Sequence, residues 1–188
     1  MPIPSSDRKQ YAPARRVALD AALLAAALML SYLEHLLPFG ALTLLPYCKP
    51  GFANVITVLA FSLLSPLDAL AVSLLRVGIT GVLFGSWTSL FFSFCGASMA
   101  FLALLLARLL LRRCSYLGVS VLCAAAHNTG QVLAAGAVMA VPSRNAEAFP
   151  VLLTTVLPYL LPSAVLFGIL TGFILNLLVP RLERWFRA

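Results

Sequence analysis

The sequence predicts an all-α membrane protein: a bundle of six transmembrane helices with both termini in the cytoplasm. Of the 188 residues, 62% are hydrophobic and only 10% are charged, and the mean hydropathy is +1.00. The apolar residues form six runs, and most basic residues collect at one side of these runs. A soluble domain carries about 25% charged residues, so the composition excludes a water-soluble monomer.

Each apolar run is interpreted as one span, because about 20 apolar residues cross a bilayer as a helix. We predict spans at residues 17–37, 52–64, 66–84, 87–111, 116–141 and 149–179. The second run is short, so it either borrows residues from its flanks or lies partly buried in protein. The sixth run contains Pro158 and Pro162, which indicates a kink or a segment along the outer surface. The transmembrane domain would therefore cover residues 17–180, between basic tails at 1–16 and 181–188.

The basic residues set the predicted orientation. Ten of the 13 precede the first span, follow the sixth or lie at the turn from span four to span five, whereas Lys49 and Arg144 lie at the opposite ends and Arg76 belongs to neither group. Arginine and lysine concentrate on the cytoplasmic side of membrane proteins. We therefore expect cytoplasmic termini, and we expect the net charge of +7 to face lipid headgroups rather than nucleic acid.

The first span carries a row of small residues, Ala18, Ala22 and Ala26. Residues four apart share one face of a helix, and small side chains let two helices approach closely. The row predicts a docking face for another helix, including a helix of a partner protein. The alternative is that alanine is simply frequent in spanning helices.

Arg76 lies about ten residues into the third span, too deep to reach the headgroups easily. An arginine near the bilayer centre costs at least ~2.5 kcal/mol, so it should face the bundle interior and have a partner there. Contact with a ligand is one explanation. A structural ion pair, for example with Glu34, and extension towards the cytoplasm are the alternatives.

The fifth span contains the polar sequence AAAHNTGQ at residues 124–131. His127 and Gln131 are four apart and share a helix face, and Asn128 lies next to that face. Polar groups surrounded by hydrocarbon need hydrogen-bond partners. The sequence predicts that they bind a ligand, and hydrogen bonds between helices without a ligand are the alternative.

Smaller signals favour a pocket that is open to the outside. Lys49 and Gly51 lead to Asn54 at the beginning of span two, and Thr80 lies near the end of span three on the same side. Glycine would let the backbone approach a ligand closely. We predict a substrate-binding pocket lined by seven residues: Lys49, Asn54, Arg76, Thr80, His127, Asn128 and Gln131.

Motifs of several enzyme classes are absent from the sequence. It has no G-x-x-x-x-G-K-[ST] phosphate-binding loop, so the chain cannot hydrolyse ATP alone. The three aspartates are isolated, whereas holding a diphosphate through magnesium would need an aspartate-rich cluster. The four cysteines show no C-x-x-C spacing, and the two histidines lack a clear set of further ligands. We expect no catalytic residue, no metal and no covalent cofactor, and a chain that is not an enzyme.

Three segments resemble a known family. They are KPGFANVITVLAFSLLSPLDAL, LLRVGITGVLFGSWTSLFFSFCGA and GVSVLCAAAHNTGQVLAAG, with the motifs G-x-A-N, L-R-V-x-x-T-G and A-H-N-x-G-Q. They are similar to the Gx transporter family, whose members are often labelled heptaprenyl diphosphate synthase component I, and the resemblance covers residues 15–180. That family resembles the S-components of energy-coupling factor transporters, which have six helices, cytoplasmic termini and a ligand near the outer face.

The resemblance implies a substrate-binding subunit of a transporter for a vitamin-like or cofactor-like small molecule in the bacterial inner membrane. Ala18, Ala22 and Ala26 would then dock to a transmembrane coupling subunit that works with ATPases. A flavin is the first candidate ligand, since relatives are associated with redox and flavin-trafficking systems, and a prenyl diphosphate on Arg76 also fits. The alternatives are a structural or flavin-delivery subunit of a membrane redox complex and a membrane component of isoprenoid diphosphate synthesis.

Overall fold

A computed structural model describes residues 12–36, 51–110, 114–143 and 148–187, which are almost entirely helical and contain no strand. The first helices are α1 (Pro13–Leu36), α2 (Asn54–Leu63), α3 (Pro66–Phe84), α4 (Trp87–Leu110) and α5 (Tyr116–Ser143). The last part of the chain contains α6 (Ala148–Val151), a π-helical segment (Leu152–Val156) and α7 (Leu157–Arg187). These three segments follow one another directly. The predicted all-helical class is confirmed.

Five helical stretches of the described part are long and apolar enough to cross a bilayer. They correspond to all the predicted spans except the second. The second run does form a helix, but α2 has only ten residues and rises ~15 Å, about half of a ~30 Å hydrocarbon core. All ten residues of α2 are buried, so the expectation that this run is enclosed by protein is confirmed.

The short helix α2 is the centre of the bundle. It contacts α1, α3, α4, α5 and α7. Its apolar side chains, among them Val58, Leu59 and Leu63, belong to the larger of the hydrophobic core clusters. A helix of half the usual length is tolerated at membrane depth because neighbouring helices, rather than lipid, surround its ends.

A cap and an ion pair fix the turn between α2 and α3. The Ser65 side chain accepts a hydrogen bond from the Asp68 backbone N–H at 3.3 Å, and Pro66 lies in the first turn of α3. Arg16 of α1 donates from Nε and Nη2 to the Asp68 carboxylate, with the shortest contact at 2.6 Å. Because α1 and α3 both begin here, we call this the Asp68 side of the bundle.

The first helix begins and the last helix ends on the Asp68 side of the bundle. The rings of Tyr32 and Phe84, near the ends of α1 and α3, are 5.2 Å apart and mark the opposite side. Tyr116, at the beginning of α5, interacts with Ser62 near the end of α2 and with Glu183 near the end of α7. The chain therefore enters α1 and leaves α7 on the same side.

Two glycines bring α7 into contact with α5. A Cβ atom at Gly168 would lie 2.6 Å from Cα of Val121, and one at Gly172 would lie 2.6 Å from Cα of Leu117. Gly168 and Gly172 are four residues apart, and so are Leu117 and Val121, so they form matching rows along the two helices. Close backbone approach through small residues is a main source of helix association in membranes.

Asp68→Asn should lower the stability of the bundle by about 1 kcal/mol. The substitution removes a bidentate ion pair, but Arg16 is 47% exposed and solvent screens the interaction. Asp20→Asn is the matched control: Asp20 interacts electrostatically with both Asp68 and Arg16, so its effects offset each other. Thermal unfolding in detergent micelles measures both variants. If Asp68→Asn unfolds at the same midpoint as the wild type, the ion pair contributes nothing to the stability of the bundle.

Candidate ligand-binding site

The beginning of α2 lies in the middle of the bundle. Asn54, its first residue, is ~14 Å from its last residue on the Asp68 side. Counted from the same side, Arg76 is ~15 Å along α3 and His127 is ~17 Å along α5. The three residues therefore lie at a similar depth, about half-way along the bundle.

His127 is enclosed between two glycines. A Cβ atom at Gly51 would lie 3.0 Å from Cδ2 and 3.3 Å from Nε2 of the imidazole, and one at Gly96 would lie 2.7 Å from Cε1 and 2.8 Å from Nδ1. Gly51 also has a φ of +76°, a conformation that favours glycine. Because neither position leaves room for a side chain, the two backbones hold the buried imidazole from both edges.

Asn54 and Gln131 lie beside these two glycines. A Cβ atom at Gly51 would be 2.9 Å from Nδ2 of Asn54, and one at Gly96 would be 3.1 Å from Cγ of Gln131. Both side chains are buried, and Asn54 Nδ2 and Gln131 Oε1 have no hydrogen-bond partner among the described residues. An unsatisfied buried polar atom costs about 1–3 kcal/mol. The site therefore offers one donor and one acceptor to a further group.

Arg76 uses only part of its hydrogen-bonding capacity. It is buried on α3, and its Nη1 donates to Oγ of Ser31 on α1 at 3.2 Å. Its Nε and Nη2 have no hydrogen-bond partner within the described part of the chain. Its charge interacts with Glu34 and with the His127 imidazole. Arg76 thus bonds to Ser31 of α1 and acts electrostatically on His127, while one edge of its guanidinium stays unpaired.

Glu34 accounts for only part of the stabilisation that the buried Arg76 requires. The sequence left an ion pair with Glu34 open as the alternative to ligand binding. The structure buries Glu34 near Arg76, where the two charges attract each other. This attraction offsets some of the cost of a charge in the interior, but it leaves the Nε and Nη2 donors of Arg76 without acceptors.

The other predicted site residues do not join the cluster that is formed by Asn54, Arg76, His127 and Gln131. Asn128 donates from Nδ2 to the Leu160 carbonyl of α7 at 3.3 Å, which is the interhelical hydrogen bond considered as the alternative to ligand binding. Thr80 donates to the Arg76 carbonyl within α3 at 2.8 Å. Lys49 lies outside the described residues. The structure therefore brings together Asn54, Arg76, His127 and Gln131 from the predicted set.

A small cleft reaches Asn54 between α2, α5 and α7. It is lined by Asn54 and Gly51, by Ser120 and Cys123 of α5, and by Thr171 of α7, among others. It has room for about one water molecule. Of the seven residues predicted to line a pocket, Asn54 alone lines this cleft.

A family model described as heptaprenyl diphosphate synthase component I matches residues 23–178, well over half of the chain. The chain belongs to this family. The matched range contains the beginning of α2, Arg76 and the His127–Gln131 segment, and the family predicted from the sequence is confirmed. The search of curated proteins and the search of solved structures gave no match.

In this member of the heptaprenyl diphosphate synthase component I family, the alanine row of α1 is largely uncovered. Ala18 and Ala22 are exposed, and Ala26 is half-buried. At the first two positions no other described helix covers the row. Docking of a partner helix on this face stays a prediction.

Within its described part, this family member contains no group of three His, Cys, Asp or Glu side chains that could hold a metal ion. Cys95, Cys114 and Cys123 are free thiols, and Cys48 lies outside the described residues. The polar cluster around His127 consists of amides, an imidazole and a guanidinium. Such groups bind polar ligands through hydrogen bonds and charge.

Two residues of the site were not predicted from the sequence, Ser31 and Gly96. Ser31 lies three residues before Glu34 and shares its helix face, so a search for polar residues on that face of α1 would have found it. Gly96 occurs in a run of small residues, CGAS at positions 95–98. Such a run signals close helix approach, but it does not reveal that the neighbour is a histidine.

Proposed function

We propose that this chain is the substrate-binding membrane subunit of a small-molecule transporter. In this proposal it forms a six-helix bundle similar to the S-components of energy-coupling factor transporters, in a bacterial inner membrane, and works with separate coupling and ATPase subunits. The observation that carries the proposal is the cluster of Asn54, Arg76 and Gln131 around His127. These residues are buried at mid-membrane depth and retain unpaired donors and acceptors.

The contrast with Asn128 supports a ligand rather than packing. Asn128 donates a hydrogen bond to α7, as expected for a polar side chain that only joins helices. In contrast, Nδ2 of Asn54, Nε and Nη2 of Arg76 and Oε1 of Gln131 lack a hydrogen-bond partner in the described part of the chain, although each unpaired atom lowers stability. Residues that retain this cost inside a membrane protein commonly belong to a substrate or ion site.

The half-length helix α2 supports the same proposal. Transporters commonly place substrates near the middle of the membrane, where interrupted helices end and their N-terminal partial positive charge faces the ligand. Here α2 begins at that depth, beside His127. The basic residues that flank the spans on the Asp68 side favour a cytoplasmic location for that side, so the site would be reached from outside.

A membrane component of isoprenoid diphosphate synthesis is the second candidate, because the family description names such a component. Arg76 could then bind the diphosphate of a prenyl chain that lies among the helices. The described acidic residues do not form a group that could hold a magnesium ion. We therefore rank this function below binding and transport.

Purification in a mild detergent, followed by mass spectrometry of the small molecules that remain bound, tests the proposal. Titration with riboflavin and with heptaprenyl diphosphate adds a direct measurement. We expect saturable binding of a retained molecule or of one of these two, without chemical turnover by the chain alone. Formation of longer prenyl diphosphates from farnesyl and isopentenyl diphosphate by the purified chain would favour the second candidate.

Gln131→Leu should weaken binding of the ligand about tenfold, because it removes a buried acceptor that the ligand would satisfy. Asn176→Leu is the matched control, since Asn176 is an exposed amide on α7 far along that helix from the cluster. Isothermal titration in micelles measures both affinities. If neither titrated molecule binds and none is retained, the proposed function is wrong.

A further inference from the structure

We propose that the ligand of this site carries an oxyanion, either a carboxylate or a phosphate, and that the oxyanion binds to the Nε–Nη2 edge of Arg76. The inference rests on the proposed function and specifies the chemistry of its substrate. It depends on which nitrogens of Arg76 are paired and on the charges that surround them.

The unpaired nitrogens of Arg76 form one edge of the guanidinium. Nη1 is bonded to Ser31, whereas Nε and Nη2 have no partner among the described residues. An N–H from each of these two nitrogens points in the same direction, so this edge can donate two parallel hydrogen bonds to two oxygens of one group. Carboxylates and phosphates have the matching spacing of oxygens.

The same chain contains an arginine in which this edge is occupied. Arg16 donates from Nε and Nη2 to the two carboxylate oxygens of Asp68, at 2.6–3.2 Å. Arg16 is half-exposed, whereas Arg76 is 5% exposed. The buried arginine has more to gain from an oxyanion, because water cannot replace the missing acceptor and the low dielectric strengthens the attraction.

Two features of the site favour a bound anion, whereas the negative charge of Glu34 opposes it. Asn54, which lies beside Gly51 as His127 does, has an unpaired Nδ2, and the N-terminal end of a helix favours negative charge. Glu34 interacts with Arg76 from α1, so it balances the arginine when no ligand is bound. A bound oxyanion must therefore compete with Glu34 for the positive charge.

Two substitutions and a matched control follow from this competition. Arg76→Lys keeps the positive charge but replaces the two parallel donors of the planar guanidinium by a single ammonium group. It should therefore weaken oxyanion binding at least tenfold. Glu34→Gln removes the competing charge and should tighten binding by about tenfold. Arg108→Lys makes the same change as the first variant at a residue that lies over the Phe61 ring, 5.1 Å from its centroid, and should leave binding unchanged.

The experiment measures thermal unfolding of the purified full chain in micelles with up to about 100 mM sodium phosphate or sodium acetate. Sodium chloride at equal ionic strength is the reference. An oxyanion at tenfold its dissociation constant should raise the unfolding midpoint by about 3–6 °C. The rise should be smaller in Arg76→Lys, larger at low concentration in Glu34→Gln, and unchanged in Arg108→Lys.

The two anions distinguish the substrate classes. A larger rise with phosphate would assign a phosphorylated substrate, and a larger rise with acetate would assign a carboxylate. No rise beyond chloride, or an equal rise in wild type and Arg76→Lys, would overturn the inference. Retention of a small molecule by the same preparation would leave the proposed function standing in that case, so the two failures can be told apart.

Discussion

Gly168→Val is expected to separate α7 from α5 and to lower the stability of the bundle by about 3 kcal/mol or more. A Cβ atom at Gly168 would lie 2.6 Å from Cα and 3.0 Å from N of Val121. These are backbone atoms, which cannot rotate away as a flexible side chain can. Valine adds two methyl groups to this contact, so the helices must move apart and lose the packing next to Gly172 as well.

Gly78→Val is the matched control for this prediction. Gly78 is exposed on α3, and a Cβ atom there would meet no atom within 4 Å. The two variants therefore differ in packing while they share the same change of side chain. Unfolding by increasing SDS in mixed micelles, followed by tryptophan fluorescence, compares them. Similar midpoints would contradict the close approach of α5 and α7.

Helical class and span positions follow from the sequence because they depend on hydrophobicity and length. Five of the six predicted runs appear as helices long enough to span. The second run was recognised as short, and α2 is a buried helix of ten residues. The helix ends are less predictable: α1 begins at Pro13 rather than Val17, and α7 continues through Pro180 to Arg187, because hydropathy marks the membrane core and not the helix ends.

The burial of the polar residues could be predicted because polar residues in apolar runs are conspicuous. Arg76, His127 and Gln131 are buried as expected, since hydrocarbon solvates none of them. Glu34 was considered as a partner of Arg76 and does interact with it. The contacts with Ser31 and Gly96 could not be predicted, because rotation of one helix about its axis changes every contact while the sequence stays the same. Asn128 illustrates the limit: it neighbours His127 in sequence but bonds to α7.

The role of Asp68 was overlooked although the sequence contains its signal. Asp68 was interpreted as one of three isolated aspartates. The preceding Ser65 and Pro66, followed by an acidic residue three positions after the serine, form a recognisable helix start. That pattern predicts the cap that the structure shows. It does not predict the ion pair with Arg16, which depends on how α1 packs against α3.

Gly51→Ala should displace the His127 ring and lower stability by about 2 kcal/mol or more. Adopting a left-handed conformation costs an L-residue roughly 1–2 kcal/mol, and Gly51 has a φ of +76°. The added methyl group would also lie 3.0 Å from Cδ2 of His127 and 2.9 Å from Nδ2 of Asn54. Both side chains are buried and cannot move without disturbing their neighbours.

Two further glycines separate the steric cause from the conformational one. Gly96→Ala makes a comparable contact with the other edge of the His127 ring, but it lies in a helix, where alanine gains about 1 kcal/mol in propensity. Gly78→Ala has the gain without the contact. We therefore expect stability to increase in the order Gly51→Ala, Gly96→Ala, Gly78→Ala.

The chain has only two histidines, so NMR of histidine-labelled protein reports directly on His127. Its ring signals should shift in Gly51→Ala and in Gly96→Ala, because both substitutions push against the imidazole. The signals of His35, which is exposed near the end of α1, should stay in place in all variants. Unshifted His127 signals in Gly51→Ala would show that Gly51 does not enclose the ring. The arrangement of Asn54 and His127 around Gly51 would then be wrong.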